Sequence, residues 1–305
     1  MTFEQTVIPK RGTAWAPGAC GELVEGLIGD QAFLVSCPIN LYSKAKVCLY
    51  PSGHGQGTQF QNSDTRWPKA RQAIAAALEA WEEDAWAVDL EIESSIPLGK
   101  GMGSSTADIG AALAATALAL GRVPDPVEIT QFAVRTEPTD STIFPELTIV
   151  DHIQGSILSG IGKPPPLQVM VFDWGGEISS DNWYQDNSPF LPIVREQGPL
   201  IARALEMIRQ GVRWGDGNMI AQGATLSALL HQAILHKQEL GSVARYAREQ
   251  GAYGVTIAHS GTVAGMIFPP MTQTCIEKVA DAISREFSMV QYLGTYELIA
   301  GGIRW

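Results

Sequence analysis

Ile96-Pro97-Leu98-Gly99-Lys100-Gly101-Met102-Gly103-Ser104-Ser105-Thr106-Ala107 is the stretch on which the reading of this sequence turns. Upstream of it, Val88, Leu90 and Ile92 alternate with Asp89, Glu91 and Glu93, the period-two pattern of a half-buried strand. Downstream, Ile109, Leu113, Ala117 and Leu120 recur at helical spacing as far as Gly121, with Pro124 just beyond, which predicts a helix from Ser104 to Gly121. The unit is therefore strand, Gly-rich turn, helix.

Glycines at alternate positions leave backbone N–H groups uncovered, and the helix that follows adds its own orphan donors and partial positive charge. An anion is favoured there, and a phosphate chain matches the geometry. Lys100 offers a mobile ammonium, while the hydroxyls of Ser104, Ser105 and Thr106 either cap the helix or reach a magnesium ion. The plain alternative is a Gly-rich connection ending in an ordinary Ser/Thr cap. Neither G-x-x-x-x-G-K-[ST] nor G-x-G-x-x-G fits: Lys100 stands in mid-loop, and the sixth position holds Ser104 in one register and Thr106 in the other.

The pattern P-x-x-x-G-L-G-S-S-A-A, the second motif of the GHMP kinases (galactokinase, homoserine kinase, mevalonate kinase and phosphomevalonate kinase), does resemble this stretch, with Met102 for Leu and Thr106 for the first Ala. Two further stretches extend the likeness. Pro17-Gly18-Ala19-Cys20-Gly21-Glu22-Leu23 resembles a contracted first motif, and Glu137-Pro138-Thr139-Asp140-Ser141 follows downstream. Together with Lys100 to Asp108 they resemble the L-threonine kinases of cobalamin synthesis and propanediol use.

That resemblance implies a two-domain α+β fold, with an N-terminal domain like domain 2 of ribosomal protein S5 and a C-terminal ferredoxin-like α/β sandwich. It implies an ATP- and Mg2+-dependent kinase acting on L-threonine to give O-phospho-L-threonine for the cobalamin aminopropanol linker. A homoserine or polyol kinase and a non-catalytic nucleotide sensor are the alternatives. By the same likeness, Asp140 and Lys100 are catalytic, and Pro97, Gly99, Lys100, Gly101, Met102, Gly103, Ser104, Ser105 and Thr106 hold the nucleotide. Ser105 and Glu137 bind the metal, with Glu128 as the rival acid, and Glu22, Cys20, Ser260 and Gly261 lie at the substrate. Glu22 is expected to meet the substrate ammonium; no residue suggests itself for the carboxylate. Ala258-His259-Ser260-Gly261-Thr262-Val263-Ala264-Gly265 resembles a degenerate third motif joining two strands. On turn chemistry alone, Asp140 is equally an Asx turn, and Cys20 is more commonly a buried structural thiol.

With 305 residues, 45% of them hydrophobic and 17% charged, the chain is long enough for one large or two smaller cores. A formal net charge of -11 argues against nucleic acid or anionic membrane as a partner, since both are bound through clustered Lys and Arg. No early basic region leads into an apolar run, and no run reaches membrane-spanning length, which predicts the cytoplasm. A homodimer is compatible with the sequence. Cys20, Cys37, Cys48 and Cys275 lack metal-site spacing and read as reduced thiols.

In chain order, Ala14 to Gly26 reads as a short strand, a Pro-Gly turn and a second bend, and strands are expected at Phe33 to Val35 and Tyr42 to Tyr50. Helices are expected at Trp67 to Trp81 and Pro126 to Arg135. The polar loop from Ser52 to Asp64 is either a cover for a nucleotide base or a plain surface loop. Lys163-Pro164-Pro165-Pro166 marks the boundary between domains 1–162 and 163–305, because consecutive prolines continue neither helix nor sheet. Beyond it, a strand at Gln168 to Asp173, helical patterns around Ile201 to Ile208, Asp216 to Leu230 and Val243 to Gln250, and strands at 255–258, 263–268 and 289–293 predict helices on one face of a small sheet.

Overall fold

A computed structural model of the chain describes residues 9–52, 58–61, 66–83, 86–176 and 190–305. Strands β1 (Lys10–Ile28) and β2 (Gln31–Pro51) form a long antiparallel pair, and β4 (Trp86–Ser94) runs antiparallel along the second half of β2. The short β3 (Gln59–Phe60) adds to the edge of β4, and β5 (Leu147–Val150) with β6 (Ile157–Gly162) forms a hairpin beside β2. Strands β7 (Leu167–Asp173), β8 (Gly254–Ile257), β9 (Val263–Phe268) and β10 (Gln291–Leu298) follow in the spatial order β8, β9, β7, β10. Two single pairings join this group to the first: Glu22 with Ile257, and Ile39 with Leu298.

The Pro-Gly turn expected near Pro17 is instead a run of bulges inside one continuous strand. The register between β1 and β2 shifts between Pro17 and Ala19, again before Glu22 and again before Val24. A bulge accommodates the residue that cannot donate to the ladder and re-aims its neighbours, which here include Glu22. The two separate strands expected at Phe33 and Tyr42 are likewise one strand: between them Pro38 pairs with Ala19 of β1 and Ile39 with Leu298 of β10.

Helix α2 (Ser104–Ala119) packs on the first strand group, and α1 (Pro68–Ala80) and α3 (Pro126–Ala133) pack against α2 and each other. Helix α2 is buried on almost every side, and its alanines bring the backbones of β1 and β2 close while Ile109 and Leu113 fill the core. Each of those two side chains contributes roughly 1.5–3 kcal/mol through burial. After β7 come α4 (Leu191–Trp214), α5 (Gly217–His231), α6 (Leu240–Glu249) and α7 (Gln273–Glu286). Helix α7, absent from the sequence reading, buries Ile276, Ala280 and Ile283 at helical spacing behind a Thr272 cap. Most of the loop expected between Ser52 and Asp64 lies outside the described residues. None of the described helices is long and apolar enough to cross a membrane.

Candidate active site

The Gly-rich stretch forms the turn between β4 and α2, as its pattern predicts. Gly99, Gly101 and Gly103 all have positive φ, which glycine adopts without a Cβ penalty. Gly103 is the N-cap of α2 at φ 66, and no side chain caps the helix. The capping alternative for Ser104, Ser105 and Thr106 is therefore not realised, and the first-turn amides carry no side-chain acceptor.

The carbonyls of the turn decide where its amides point. Lys100 O accepts from Thr262 N at 3.0 Å and Val263 N at 3.2 Å; Gly101 O accepts from Gly21 N at 3.2 Å; Met102 O accepts from Ala19 N at 2.9 Å. A trans peptide sets its N–H opposite its C=O, so the amides of Gly101, Met102 and Gly103 face away from these partners. They face a cleft of about 90 Å³ lined by the turn and α2 start, by Glu137 to Asp140, and by Glu22, Leu34 and Ser260.

Asp140 precedes a short 3-10 turn (Ser141–Ile143), and its backbone N–H donates to Thr106 Oγ1 at 3.2 Å. Its Oδ1 accepts from Ser36 Oγ at 3.1 Å, so the side chain is held from β2 rather than closing an Asx turn. Burial, and next the charge of Glu22, push its carboxyl up to about 7, against the bonds from Ser36 and Thr106. Glu137 is buried on the same wall; Lys69 Nζ meets its Oε2, while Oε1 is buried with no hydrogen-bond partner. Its rival Glu128 does not line the cleft; it accepts from Trp81 Nε1 at 2.7 Å and Arg122 at 3.4 Å.

Glu22 reaches the cleft from the bulged part of β1. Its Oε2 accepts from His259 N at 2.8 Å and lies 2.9 Å from His259 Nδ1, sharing one proton with that ring nitrogen. Burial raises its carboxyl to about 7, offset in part by the His259 amide and by Lys237. Lys237 is buried, and its ammonium donates to Ala258 O at 3.0 Å and Gly261 O at 2.7 Å, pinning the loop between β8 and β9. Nothing in the sequence reading singled out Lys237 or Ser36. A lone Lys in a turn and a Ser in a strand carry no spacing signal.

Several expected residues stand elsewhere. Lys100 does not line the cleft; its ammonium pairs with Asp173 Oδ2 at 2.9 Å and donates to Gly176 O at 2.7 Å, because the buried Asp173 carboxylate requires a counter-charge. Cys20, expected near the substrate, is wholly buried and packs against Gly265 of β9, and burial raises its thiol pKa. Pro97 and Gly261 also lie outside the cleft lining, Gly261 behind Gly101. Ser260, Glu137 and Asp140 are brought together with the turn as expected.

Comparison with known proteins gives a consistent result. Residues 69–144 match the family model described as GHMP kinases N terminal domain. The L-threonine kinase of Salmonella typhimurium is 31% identical over 257 residues, covering 83% of this chain and 82% of that protein. The L-threonine kinase of Citrobacter freundii is 32% identical over 257 residues, covering 83% and 85%. Among solved structures, homoserine kinase from Cytophaga hutchinsonii superposes with a TM-score of 0.67 at 16% identity, over 100% of this chain and 99% of that one.

Proposed function

The chain belongs to the GHMP kinase family and has its mixed α and β fold, and from that premise we propose that it phosphorylates the side-chain hydroxyl of L-threonine with ATP. The observation that carries this reading is the tethering of the carbonyls of Lys100, Gly101 and Met102, which turns a row of amides and an uncapped helix start onto one cleft beside Asp140. Phosphoryl transfer asks a protein for positioning and charge stabilisation, and such amides supply both.

In this reading the turn and the α2 start hold the phosphates. Asp140 accepts the hydroxyl proton of the acceptor at Oδ2 and orients the oxygen, and a carboxyl raised to about 7 is a better base near neutral pH than an ordinary aspartate. Glu137 Oε1, buried and lacking a partner, together with Ser105 Oγ fits a magnesium ion, whose charge would offset that of the phosphates. Lys100 is the second catalytic group of the proposal; it reaches phosphate by leaving Asp173. Glu22 takes the acceptor ammonium. Cytoplasmic residence, and supply of O-phospho-L-threonine toward the cobalamin linker, go with the motif likeness.

We also propose that residues 1–162 and 163–305 are separate domains. Pro164, Pro165 and Pro166 stand between β6 and β7, and among the described residues the named strands of the two groups are joined by single pairings, Glu22 with Ile257 and Ile39 with Leu298, beside the isolated bridge from Trp15 to Arg304. The experiment for the activity is ADP release with ATP and Mg2+ across L-threonine, L-serine, L-homoserine, mevalonate and galactose. Turnover with L-threonine leading the series is expected; ATP binding with no ADP from any acceptor would reverse the conclusion.

A further inference from the structure

Resting on the kinase reading above, we infer that Lys237 is a positioning residue for the nucleotide: it does not line the cleft, yet from behind the loop between β8 and β9 it sets the affinity for ATP. Lys237 lies between α5 and α6 and is buried. A buried ammonium must spend its donors within the protein, and two bonds of this one go to a single loop, at Ala258 O and Gly261 O. Its own backbone is fixed in turn, Lys237 N donating to Gln232 Oε1 at 2.8 Å. His231, the last residue of α5, adds a third hold on the loop, donating from Nε2 to His259 O at 2.9 Å. Trp174 N adds a fourth, to Thr262 O at 3.0 Å, and its indole bonds the lysine segment at Gln238 O. Four carbonyls between Ala258 and Thr262 are thus held from behind.

Each peptide held this way presents its N–H on the opposite side, because the peptide is trans. The amide after Ala258 O is that of His259, which donates to Glu22 Oε2 at 2.8 Å. The amides after Gly261 O and Thr262 O are those of Thr262 and Val263, and both donate to Lys100 O. Lys100 O is thereby drawn out of the cleft, and the Gly101 amide that follows it is turned in. Without the ammonium, the peptide after Gly261 is free to rotate, and glycine has no side chain to resist the rotation. The Thr262 and Val263 donors move with it, and the Gly101 amide loses its fixed direction. Asp140 is held separately, by Ser36 and Thr106, so the effect falls on phosphate binding and not on the proton acceptor. A hollow of about 320 Å³, lined by Lys237, Gly261, Thr262 and Trp174, opens behind the loop.

The test is calorimetric titration of the full chain with ATP and Mg2+. Lys237→Met should raise Kd by about tenfold or more, the scale of leaving a buried carbonyl without its donor, at the stoichiometry of the wild type. Its kcat at saturating ATP should stay within about threefold of wild type, a split between affinity and turnover that mere loss of folded protein would not produce. Lys237→Ala leaves room for propylammonium, which can enter through the hollow and remake both bonds. Propylammonium should restore ATP affinity to within about threefold of wild type, whereas tetramethylammonium, with the same charge and no N–H, should not. His231→Phe, which keeps a ring and removes the donor, should raise Kd about threefold or more. An unchanged Kd in Lys237→Met, or in His231→Phe where Lys237→Met does not fold, overturns the inference and leaves the kinase assignment standing. Equal rescue by tetramethylammonium does the same. No ATP binding by the wild type overturns both.

Discussion

Gly261 rests directly on Gly101: a β-carbon built on Gly261 would stand 2.4 Å from the Gly101 Cα and 2.4 Å from the Lys100 carbonyl oxygen. The contact lets the loop between β8 and β9 donate to the Gly-rich turn from behind. Gly261→Ala should push that turn forward, weaken ATP binding about tenfold or more, and cost roughly 1–3 kcal/mol of stability as overpacking does. Calorimetric titration with ATP and a thermal melt measure both; wild-type values in each would show the contact to be dispensable.

Asp140→Asn keeps the bond from Ser36 and removes the proton acceptor. The expected result is a kcat lowered by on the order of 10²-fold or more with little change in ATP affinity. Steady-state ADP release beside nucleotide titration checks this, and a kcat near wild type would remove Asp140 from the mechanism.

The two rival metal acids separate cleanly. Glu137→Gln should raise the Mg2+ concentration needed for half-maximal rate by about tenfold or more, the scale typical of altering a metal site. Glu128→Gln should leave that concentration alone and lower the melting temperature slightly, since it disturbs only the contacts to Trp81 and Arg122. A magnesium titration of both variants decides it, and the reverse pattern would transfer the role to Glu128.

The half-buried Asp140 also sets a pH signature. Asp140 has a folded-state pKa of about 7 against an ordinary 3.8, so between those values the native state holds a proton that the unfolded chain has lost. Its contribution is fully present below about pH 4 and is lost as the pH rises through 7. His152 and His259, lowered to about 4 and about 3 chiefly by burial, act in the opposite sense below pH 6.5. The informative quantity is therefore the difference between variant and wild type. Asp140→Asn should gain melting temperature relative to wild type from pH 5 to 8 and level off above, by at least ~2 °C for each kcal/mol relieved. A difference that stays constant with pH would mean that Asp140 ionises normally in the fold.

Much of this site was legible locally. The glycines before Ser104, the alternation into β4 and the helical spacing of Ile109 and Leu113 all act over a few residues, where sequence pattern and conformation are tightly coupled. The partners of those residues were not. That Asp173 would claim Lys100, that Lys237 would pin Ala258 and Gly261, and that Ser36 would hold Asp140 are contacts between distant segments, fixed by sheet order. Pro17 and Gly18 misled for a related reason: turn chemistry is equally bulge chemistry when a long partner strand lies alongside.

The tethering of Lys100, Gly101 and Met102 also fixes when, during synthesis, nucleotide affinity can arise. Two of the clamps come from Ala19 and Gly21, but the third comes from Thr262 and Val263, close to the end of the chain. A nascent chain emerging from the ribosome thus carries the complete Gly-rich sequence long before it carries a shaped anion receptor. If the turn holds ATP as proposed, a fragment ending before Thr262 should bind nucleotide poorly however well it folds.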